Sequence, residues 1–355
     1  MKVLLVGATF NSNFGDLLFS HLFYDKCKEA GFDKVSFWQW PEHVLCDFCR
    51  NELDYHEKIS IWQTLRYDAL ILQSGGMMGD RVYTRRGVTL RFKRFFVPML
   101  LFTLLHKPVY ILGCGGGPLF AWPMRKIARH IWTRASRIMV RDEETRKYFQ
   151  SIGVTNEIEV TSDTAQVITA QQLPPFEKSD DLDNYLRGRK MLLFAVHFPK
   201  KGDIQESIIL PAIREFLQTH PDYALAVTTD KTETADETRE YMADKGDYFF
   251  YHYHDSYQLA SFINCANVVV TLGLHVGIVG ASLGKSVISF PHNYNKTHRY
   301  YKQIGESQRC IELAKVSQEI VLSQLEKFHS TPIVLSPTIR ALAKKNIDII
   351  NEINK

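Results

Sequence analysis

Short apolar runs alternate with amphipathic stretches along the chain, and their lengths and periods predict its elements. In the first half, apolar runs predict strands at 3–6, 34–38, 69–73, 109–112, 137–140 and 154–160. The stretch 16–30 predicts a helix that ends at Gly31. After a polar break at 170–190, further strands are predicted at 191–198, 223–228, 248–253, 268–272 and 287–290. Further helices are predicted at 204–218, 232–245, 257–265, 275–283, 316–328 and 336–353.

Strand–helix alternation of this kind is typical of a parallel sheet with helices on both faces. Because the pattern stops and restarts, we predict two doubly wound, Rossmann-like α/β domains that face a cleft, a GT-B-like architecture. The predicted domains are 1–170 and 185–335, and the polar break between them is interpreted as a linker. The last helix, 336–355, is expected to pack back on the first domain, as it does in many such folds. A fold of this class fixes no function by itself.

The composition is that of a globular protein, with 45% hydrophobic and 23% charged residues over 355 positions. The net charge of +4 conceals a strong asymmetry. The basic stretch, residues 81–137, holds twelve Lys or Arg and no acidic residue, while the rest of the chain is net acidic. Such a stretch favours anionic ligands or an anionic membrane surface. The alternative is a pair of basic helices that are simply solvated.

The six cysteines favour a reduced, cytoplasmic protein, because most of them lie within apolar or helical patterns. Cys46 and Cys49 form a C-x-x-C motif with no second pair, and His43 and His56 do not complete a zinc site of sensible spacing. We therefore expect no metal. We also expect no nucleic-acid partner.

No targeting or membrane-spanning segment is predicted. The apolar run after Met1 is too short for a signal peptide, and the longest one, 95–105, is interrupted by Pro98 and is half the length that spans a bilayer. Lys and Arg flank that run, so peripheral attachment at the inner face of the membrane stays open beside a purely cytoplasmic location.

Ligands of open parallel sheets bind beyond the carboxyl ends of the strands, so the candidate chemistry is sought there. The first strand is followed by a small, polar segment that ends in Asp16, at the predicted start of a helix. Glycines follow the third and fourth strands, where they would keep side chains out of a ligand's volume. Asp16 alone is as well explained by a helix N-cap, and glycines after strands are individually weak signals.

Two further strand ends carry side chains suited to an anion or to proton transfer. Arg141 follows the fifth strand, where an ion pair with Asp142 is the structural alternative. His275 begins a helix in the second domain, and imidazole titrates near neutral pH. Lys296 lies a few residues after the last strand and adds another cation.

Taken together, these motifs resemble the polysaccharide pyruvyl transferase family, in the right order and over most of the chain. The matching segments are Asn11 to Asp16, Ser74-Gly75-Gly76, Gly113 to Pro118, Val140-Arg141-Asp142, Ser162-Asp163, Leu274-His275 and Lys296. The resemblance implies transfer of the enolpyruvyl group of phosphoenolpyruvate onto a sugar, usually as a cyclic ketal. It implies phosphoenolpyruvate as co-substrate without another cofactor, and a sugar acceptor that is in some cases lipid-linked.

The resemblance also implies roles for individual residues. His275 would be the general acid, Arg141 would bind the anionic donor, and Asp16 or Asp163 would accept the proton of the sugar hydroxyl. The other residues that it places around the substrates are Asn13, Gly15, Gly75, Gly76, Gly115, Gly116, Leu274 and Lys296.

The chain departs from the family pattern at three points. Gly273 stands where the family reads Arg before Leu-His, Leu17 stands where a Glu follows the first Asp, and a triple glycine is reduced to Gly75-Gly76. Two other functions therefore stay open. One is a glycosyltransferase that uses a nucleotide sugar, with Glu306 or Asp255 as the ribose-binding acid. The other is a non-catalytic member of the family.

Overall fold

The chain folds into two compact units, each built around one parallel sheet. The structure is a computed structural model that describes residues 1–40, 46–79 and 85–355, with the backbone alone for 85–87. Unit 1 comprises residues 1–12, 16–164 and 338–355, and unit 2 comprises 13–15 and 165–337. The predicted α/β class with two parallel sheets is confirmed.

Unit 1 contains the larger sheet, in which the strand order is β2-β1-β3-β5-β6-β7 and β4 pairs with β5. Its strands are β1 (Lys2–Val6), β2 (Lys34–Phe37), β3 (Ala69–Leu72), β4 (Gly75–Met78), β5 (Val109–Gly116), β6 (Arg137–Val140) and β7 (Glu159–Val160). The pairs between them are parallel, and β3 is buried along its whole length. Burial on both faces explains the continuous apolar runs in the sequence.

Helices cover both faces of this sheet. They are α1 (Phe14–Glu29), α2 (Asp47–Glu52), α3 (Ile61–Thr64), α4 (Arg85–Arg91), α5 (Val97–Leu104), α6 (Trp122–Arg134) and α7 (Glu143–Ser151), with a π-helical segment, Phe92–Phe96, between α4 and α5. Trp132 of α6 stacks on Phe149 of α7 with 3.5 Å between ring centroids, which joins two helices that flank β6. The core of unit 1 therefore lies between sheet and helices, as in other doubly wound domains.

Unit 2 has a five-stranded parallel sheet in the described residues, with the order β10-β9-β8-β11-β12. Its strands are β8 (Lys190–Val196), β9 (Tyr223–Thr229), β10 (Phe249–Phe250), β11 (Val268–Thr271) and β12 (Ser286–Ser289). Its helices are α8 (Ser179–Leu186), α9 (Leu210–Thr219, after a π-helical segment Gln205–Ile209), α10 (Ala235–Met242), α11 (Ser256–Cys265), α12 (Leu274–Ser282), α13 (Tyr294–Gln303) and α14 (Gln318–Phe328).

The segment expected as a linker, 170–190, is part of unit 2. The chain passes from unit 1 to unit 2 at residues 164–165, before that segment begins. Phe176 is buried against Tyr251 and Phe262, and Leu182 on α8 is buried as well. These apolar side chains hold the polar-looking segment onto unit 2, because their burial stabilises it there.

The glycines expected after the third and fourth strands lie within strands instead. Gly75 and Gly76 begin β4, and Gly115 and Gly116 end β5, which pairs with β4. A Cβ atom on Gly116 would lie 2.6 Å from the carbonyl oxygen of Met78, and one on Gly115 would lie 2.5 Å from Arg141 Nε. The glycines thus make room for neighbouring parts of unit 1.

Within the basic stretch, 81–84 and the side chains of 85–87 lie outside the described residues. Several of its other cations bind within unit 1. Arg91 donates to the carbonyl oxygens of Met77 and Gly79, and Lys107 donates to those of Leu65 and Tyr67. Arg94 lies 3.9 Å from the Phe10 ring centroid, and burial lowers its pKa. Where the structure describes the side chains of this stretch, its exposed positive charge is therefore concentrated on α6.

No helix of the described residues is both long and apolar enough to cross a membrane.

The C-terminal helices α15 (Pro337–Asp348) and α16 (Ile350–Ile353) return to unit 1. Asn346 of α15 is fully buried and donates to the Ser162 carbonyl oxygen at 2.9 Å and to Thr164 Oγ1 at 3.0 Å. Thr161 Oγ1 donates to Asn346 Oδ1 at 2.9 Å. One side chain thus binds the segment that follows β7.

We predict that Asn346→Ala destabilises the protein by about 2 kcal/mol or more, because buried polar groups of residues 161–164 lose their partner. The matched control is Asn351→Ala, an exposed position on α16, which should change stability by less than about 0.5 kcal/mol. Urea unfolding measures both. Equal stabilities of the two variants would contradict the role assigned to Asn346.

Candidate active site

The carboxyl edge of the unit 2 sheet gathers several polar side chains. His197 follows β8, Asp230 follows β9, His275 follows β11 and His292 follows β12. Strands β9, β8, β11 and β12 are neighbours and parallel, so their carboxyl ends share one edge. The sequence had singled out His275 at this edge and had not recognised the other three.

His275 occupies the second position of α12 and is 8% exposed. Gly15, which belongs to unit 2 with Asn13 and Phe14, lies directly against it. A Cβ atom on Gly15 would overlap the His275 ring, so only glycine fits this approach. The His275 ring can occupy this position because residue 15 has no side chain.

The segment 13–15 is fixed by backbone contacts with the end of β9. The Phe14 amide donates to the Asp230 carbonyl oxygen at 2.9 Å, and Asn13 forms an antiparallel bridge with Lys231. The predicted residues Asn13, Gly15 and His275 are therefore close together within unit 2. Leu274, also predicted, is the first residue of α12 and is half-buried beside His275.

His197 and Asp230 form a pair that sequence analysis missed. His197 Nδ1 lies 2.8 Å from Asp230 Oδ1, and their side chains are 16% and 8% exposed. The His292 ring lies 5.4 Å from that of His197, and burial, followed by the charge of His197, lowers the pKa of His292. The sequence offered only a partial signal, because His197 lies near the end of the predicted strand 191–198 and Asp230 lies two residues after the predicted strand 223–228.

Gly273, where the family reads Arg, adjoins this pair. It is the N-cap residue of α12, and a Cβ atom there would lie 2.6 Å from Asp230 Oδ2. Its amide donates to Thr271 Oγ1 at 3.0 Å. Any side chain at position 273 would have to displace the Asp230 carboxylate, so glycine at 273 and aspartate at 230 fit together.

In unit 1, Arg141 follows β6 and is 6% exposed. Its Nη1 donates to Asp163 Oδ2 at 2.8 Å, and its Nε lies 3.9 Å from Asp142 Oδ2. Asp142 also caps α7 by accepting the Thr145 amide at 2.7 Å. The predicted alternative of an ion pair is thus present, with Asp163 as the closer partner. A buried pair of this kind holds the guanidinium in one orientation.

The remaining predicted residues lie on neighbouring elements. Asp16 is in the first turn of α1 and is partly exposed, and a Cβ atom on Gly75 would lie 3.8 Å from its Oδ1. Lys296 is in the first turn of α13, and its amide donates to the Asn293 cap at 3.4 Å. Both are placed where an open sheet binds ligands, after the carboxyl end of a strand.

The acids considered for a ribose contact have structural partners. Asp255 caps α11 by accepting the Gln258 amide at 2.7 Å, and Glu306 accepts from Arg309 Nε at 2.8 Å. A possible set of metal ligands in unit 2, His220, Glu326 and His329, lies near Tyr223 at the amino end of β9. That end is opposite to the edge that carries His275.

A model of the polysaccharide pyruvyl transferase family matches residues 13–294. A search among curated proteins finds no significant match.

Solved structures of the same fold include a putative UDP-N-acetylglucosamine 2-epimerase from Listeria monocytogenes, with a TM-score of 0.64, 13% identity and 99% and 96% coverage of this chain and that one. The UDP-GlcNAc 2-epimerase from Methanocaldococcus jannaschii in complex with UDP-GlcNAc and UDP has a TM-score of 0.61 and 11% identity. The match covers 99% of this chain and 100% of that one. A glycosyltransferase from Rickettsia africae has a TM-score of 0.51 and 12% identity, and the match covers 100% of this chain and 99% of that one. The predicted GT-B-like fold class is confirmed, and at these identities the similarity concerns the fold alone.

We predict that Gly15→Ala inactivates the protein by displacing the His275 ring. If His275 transfers a proton, turnover should fall at least about a hundredfold. The test is a double-mutant cycle with His275→Ala, in which Gly15→Ala should cost much less because the ring is already absent. Additive losses in the double variant would show that Gly15 acts independently of His275.

Proposed function

The chain belongs to the polysaccharide pyruvyl transferase family, and from that premise we propose that it transfers the enolpyruvyl group of phosphoenolpyruvate to a sugar of a polysaccharide or glycan precursor, as a ketal. Family membership makes it a transferase that modifies a polysaccharide. The observation that carries the finer proposal is the placement of His275 against Gly15 at the carboxyl edge of the unit 2 sheet.

The chemistry requires a proton donor beside a bound anion. His275 would protonate the methylene carbon of phosphoenolpyruvate, which leaves the neighbouring carbon electrophilic. One sugar hydroxyl then adds to that carbon. When a second hydroxyl of the same sugar adds, the carbon–oxygen bond to phosphate breaks and the ketal closes. The methyl and carboxylate groups stay on the product, and inorganic phosphate leaves with a proton.

Arg141 is the proposed anchor of the anionic donor. A guanidinium has five N–H donors and binds carboxylate or phosphate through charge-assisted hydrogen bonds. Asp163 and Asp142 hold the side chain in place from within unit 1. Lys296 and Lys231, which lies over the Phe198 ring at 4.2 Å, are further cations at strand ends. These lysines would supply positive charge in place of the Arg that the family pattern has at position 273.

Asp16 is the better candidate for the base that accepts the first hydroxyl proton. Asp163 is 3% exposed and binds Arg141, so protonating it would weaken a buried ion pair. Asp16 is partly exposed in the first turn of α1, after the carboxyl end of β1. Proton transfer to Asp16 would therefore leave the pair of Arg141 and Asp163 intact.

We predict that phosphoenolpyruvate raises the melting temperature of the wild-type protein, because a ligand of the native state stabilises it. UDP is the control ligand, since structures of the same fold bind it. In His275→Gln the shift should persist while turnover falls by about two to four orders of magnitude. Stabilisation by UDP and not by phosphoenolpyruvate would favour the glycosyltransferase function, and stabilisation by neither the non-catalytic one.

We predict that Arg141→Ala both weakens donor binding and destabilises unit 1. Removing one partner of a buried ion pair typically costs about 3–5 kcal/mol, since Asp163 keeps an uncompensated charge. Arg141→Ala/Asp163→Ala should recover much of the stability and still bind phosphoenolpyruvate poorly. Urea unfolding and donor titration separate the two effects. Normal donor affinity in the double variant would exclude Arg141 as the anchor.

A further inference from the structure

His197 is held through its backbone by Gln205 and through its ring by Asp230. The His197 amide donates to Gln205 Oε1 at 2.9 Å, and Gln205 Nε2 donates to the His197 carbonyl oxygen at 2.9 Å. Gln205 is fully buried, so its two hydrogen bonds fix the backbone of His197. The Asp230 carboxylate accepts from His197 Nδ1, which places the proton of a neutral ring on Nδ1 and the lone pair on Nε2.

Asp230 connects this histidine to the helix that carries His275. Its Oδ1 binds His197, and its Oδ2 lies against the N-cap Gly273 of α12. β8, which ends before His197, pairs with both β9 and β11. The two histidines thus follow neighbouring strands at one edge, and a histidine paired with a carboxylate is well suited to accept and return a proton.

We propose that His197, oriented by Asp230, is a second proton-transfer group. As the second sugar hydroxyl adds, its proton passes to His197 Nε2 and then to the departing phosphate, so the imidazole ends the cycle neutral. His275 supplies the proton of the methyl group. This proposal rests on the proposed function, because it assigns a role within the same reaction.

The test compares His197→Gln and Asp230→Asn with His254→Gln. His254 is the matched control, because its Nε2 pairs with Glu177 at 3.1 Å elsewhere in unit 2 and its side chain is 50% exposed. His197→Gln should lower turnover by about two to four orders of magnitude and remove one limb of the pH–rate profile. Asp230→Asn should lower turnover less and shift that limb. His254→Gln should match the wild type.

Mass spectrometry of the sugar gives a sharper readout. Because His197 acts after the first carbon–oxygen bond forms, His197→Gln should accumulate a sugar that still carries the phosphate of the donor. Stabilisation by phosphoenolpyruvate should persist in all three variants. A wild-type protein without pyruvyl transfer would overturn the proposed function itself. An active wild type with unimpaired turnover and an intact pH–rate profile in His197→Gln would overturn only the role of His197.

A separate observation concerns the exposed face of α6. Trp122, Arg125, Lys126 and Arg129 share this face at helical spacing, and the side chain of Trp122 is exposed. Lys126 Nζ lies 4.0 Å from the Trp122 ring centroid. Phe120, just before the helix, is exposed too. The opposite face of α6 is buried in the core of unit 1.

We propose that this face binds an anionic lipid surface. Tryptophan beside lysine and arginine is the combination found at membrane–water interfaces, where the ring enters the headgroup layer and the cations attract anionic lipids. Each cation near an anionic surface contributes about 1 kcal/mol. The basic stretch to which α6 belongs contains no acidic residue in sequence that would offset this attraction.

Sedimentation with vesicles of phosphatidylglycerol and phosphatidylcholine, or of phosphatidylcholine alone, tests the proposal. Wild type should bind the anionic vesicles, and binding should weaken as salt rises. Arg125→Glu/Lys126→Glu and Trp122→Ala should each reduce binding at least about tenfold. The control Lys200→Glu/Lys201→Glu makes the same charge change at exposed lysines of unit 2 and should bind normally. Equal binding to neutral vesicles, or equal losses in the control, would overturn the assignment.

Discussion

The contact between Gly15 and His275 is the constraint on which the account of this site depends. An imidazole at the second position of α12 is 8% exposed and leaves no room for a Cβ atom at position 15. The backbone of residues 13–15 must therefore follow the end of β9 closely, which the bonds to Asp230 and Lys231 ensure. This close approach explains why the histidine is buried.

The second feature is the carboxylate that lies against the N-cap residue of α12. The family pattern has Arg where this chain has Gly273, and Asp230 lies against that glycine. Asp230 in turn orients His197. The space beside Gly273 therefore contains a histidine–aspartate pair.

The sequence predicted most of the fold, because strands buried on both faces read as continuous apolar runs. It predicted His275 and Arg141 from their positions after strands β11 and β6. It did not predict that β5 continues through its glycines to pair with β4, since glycines in sequence favour a loop. It also missed the pair of His197 and Asp230, because residues 33 positions apart meet only when neighbouring strands end together.

The interpretation of 170–190 as a linker failed for a related reason. Phe176, Leu182 and a few other apolar side chains attach this polar segment to unit 2. The segment as a whole has a polar composition, so these few residues did not stand out in the sequence. The charge of the basic stretch is also less exposed than the sequence suggests, because Arg91, Arg94 and Lys107 bind within unit 1. Among its described side chains, the exposed cations lie mainly on α6.

The central claim is that the donor is phosphoenolpyruvate and that its three carbons end on a sugar. The most direct measurement is mass spectrometry of a panel of nucleotide-linked and lipid-linked sugars after incubation with the protein and carbon-13-labelled phosphoenolpyruvate, with phosphate release followed in parallel. The account predicts one sugar product that contains all three labelled carbons and one phosphate released for each product formed. A panel that includes the natural acceptor and yields unlabelled sugars, with no phosphate released, would contradict it.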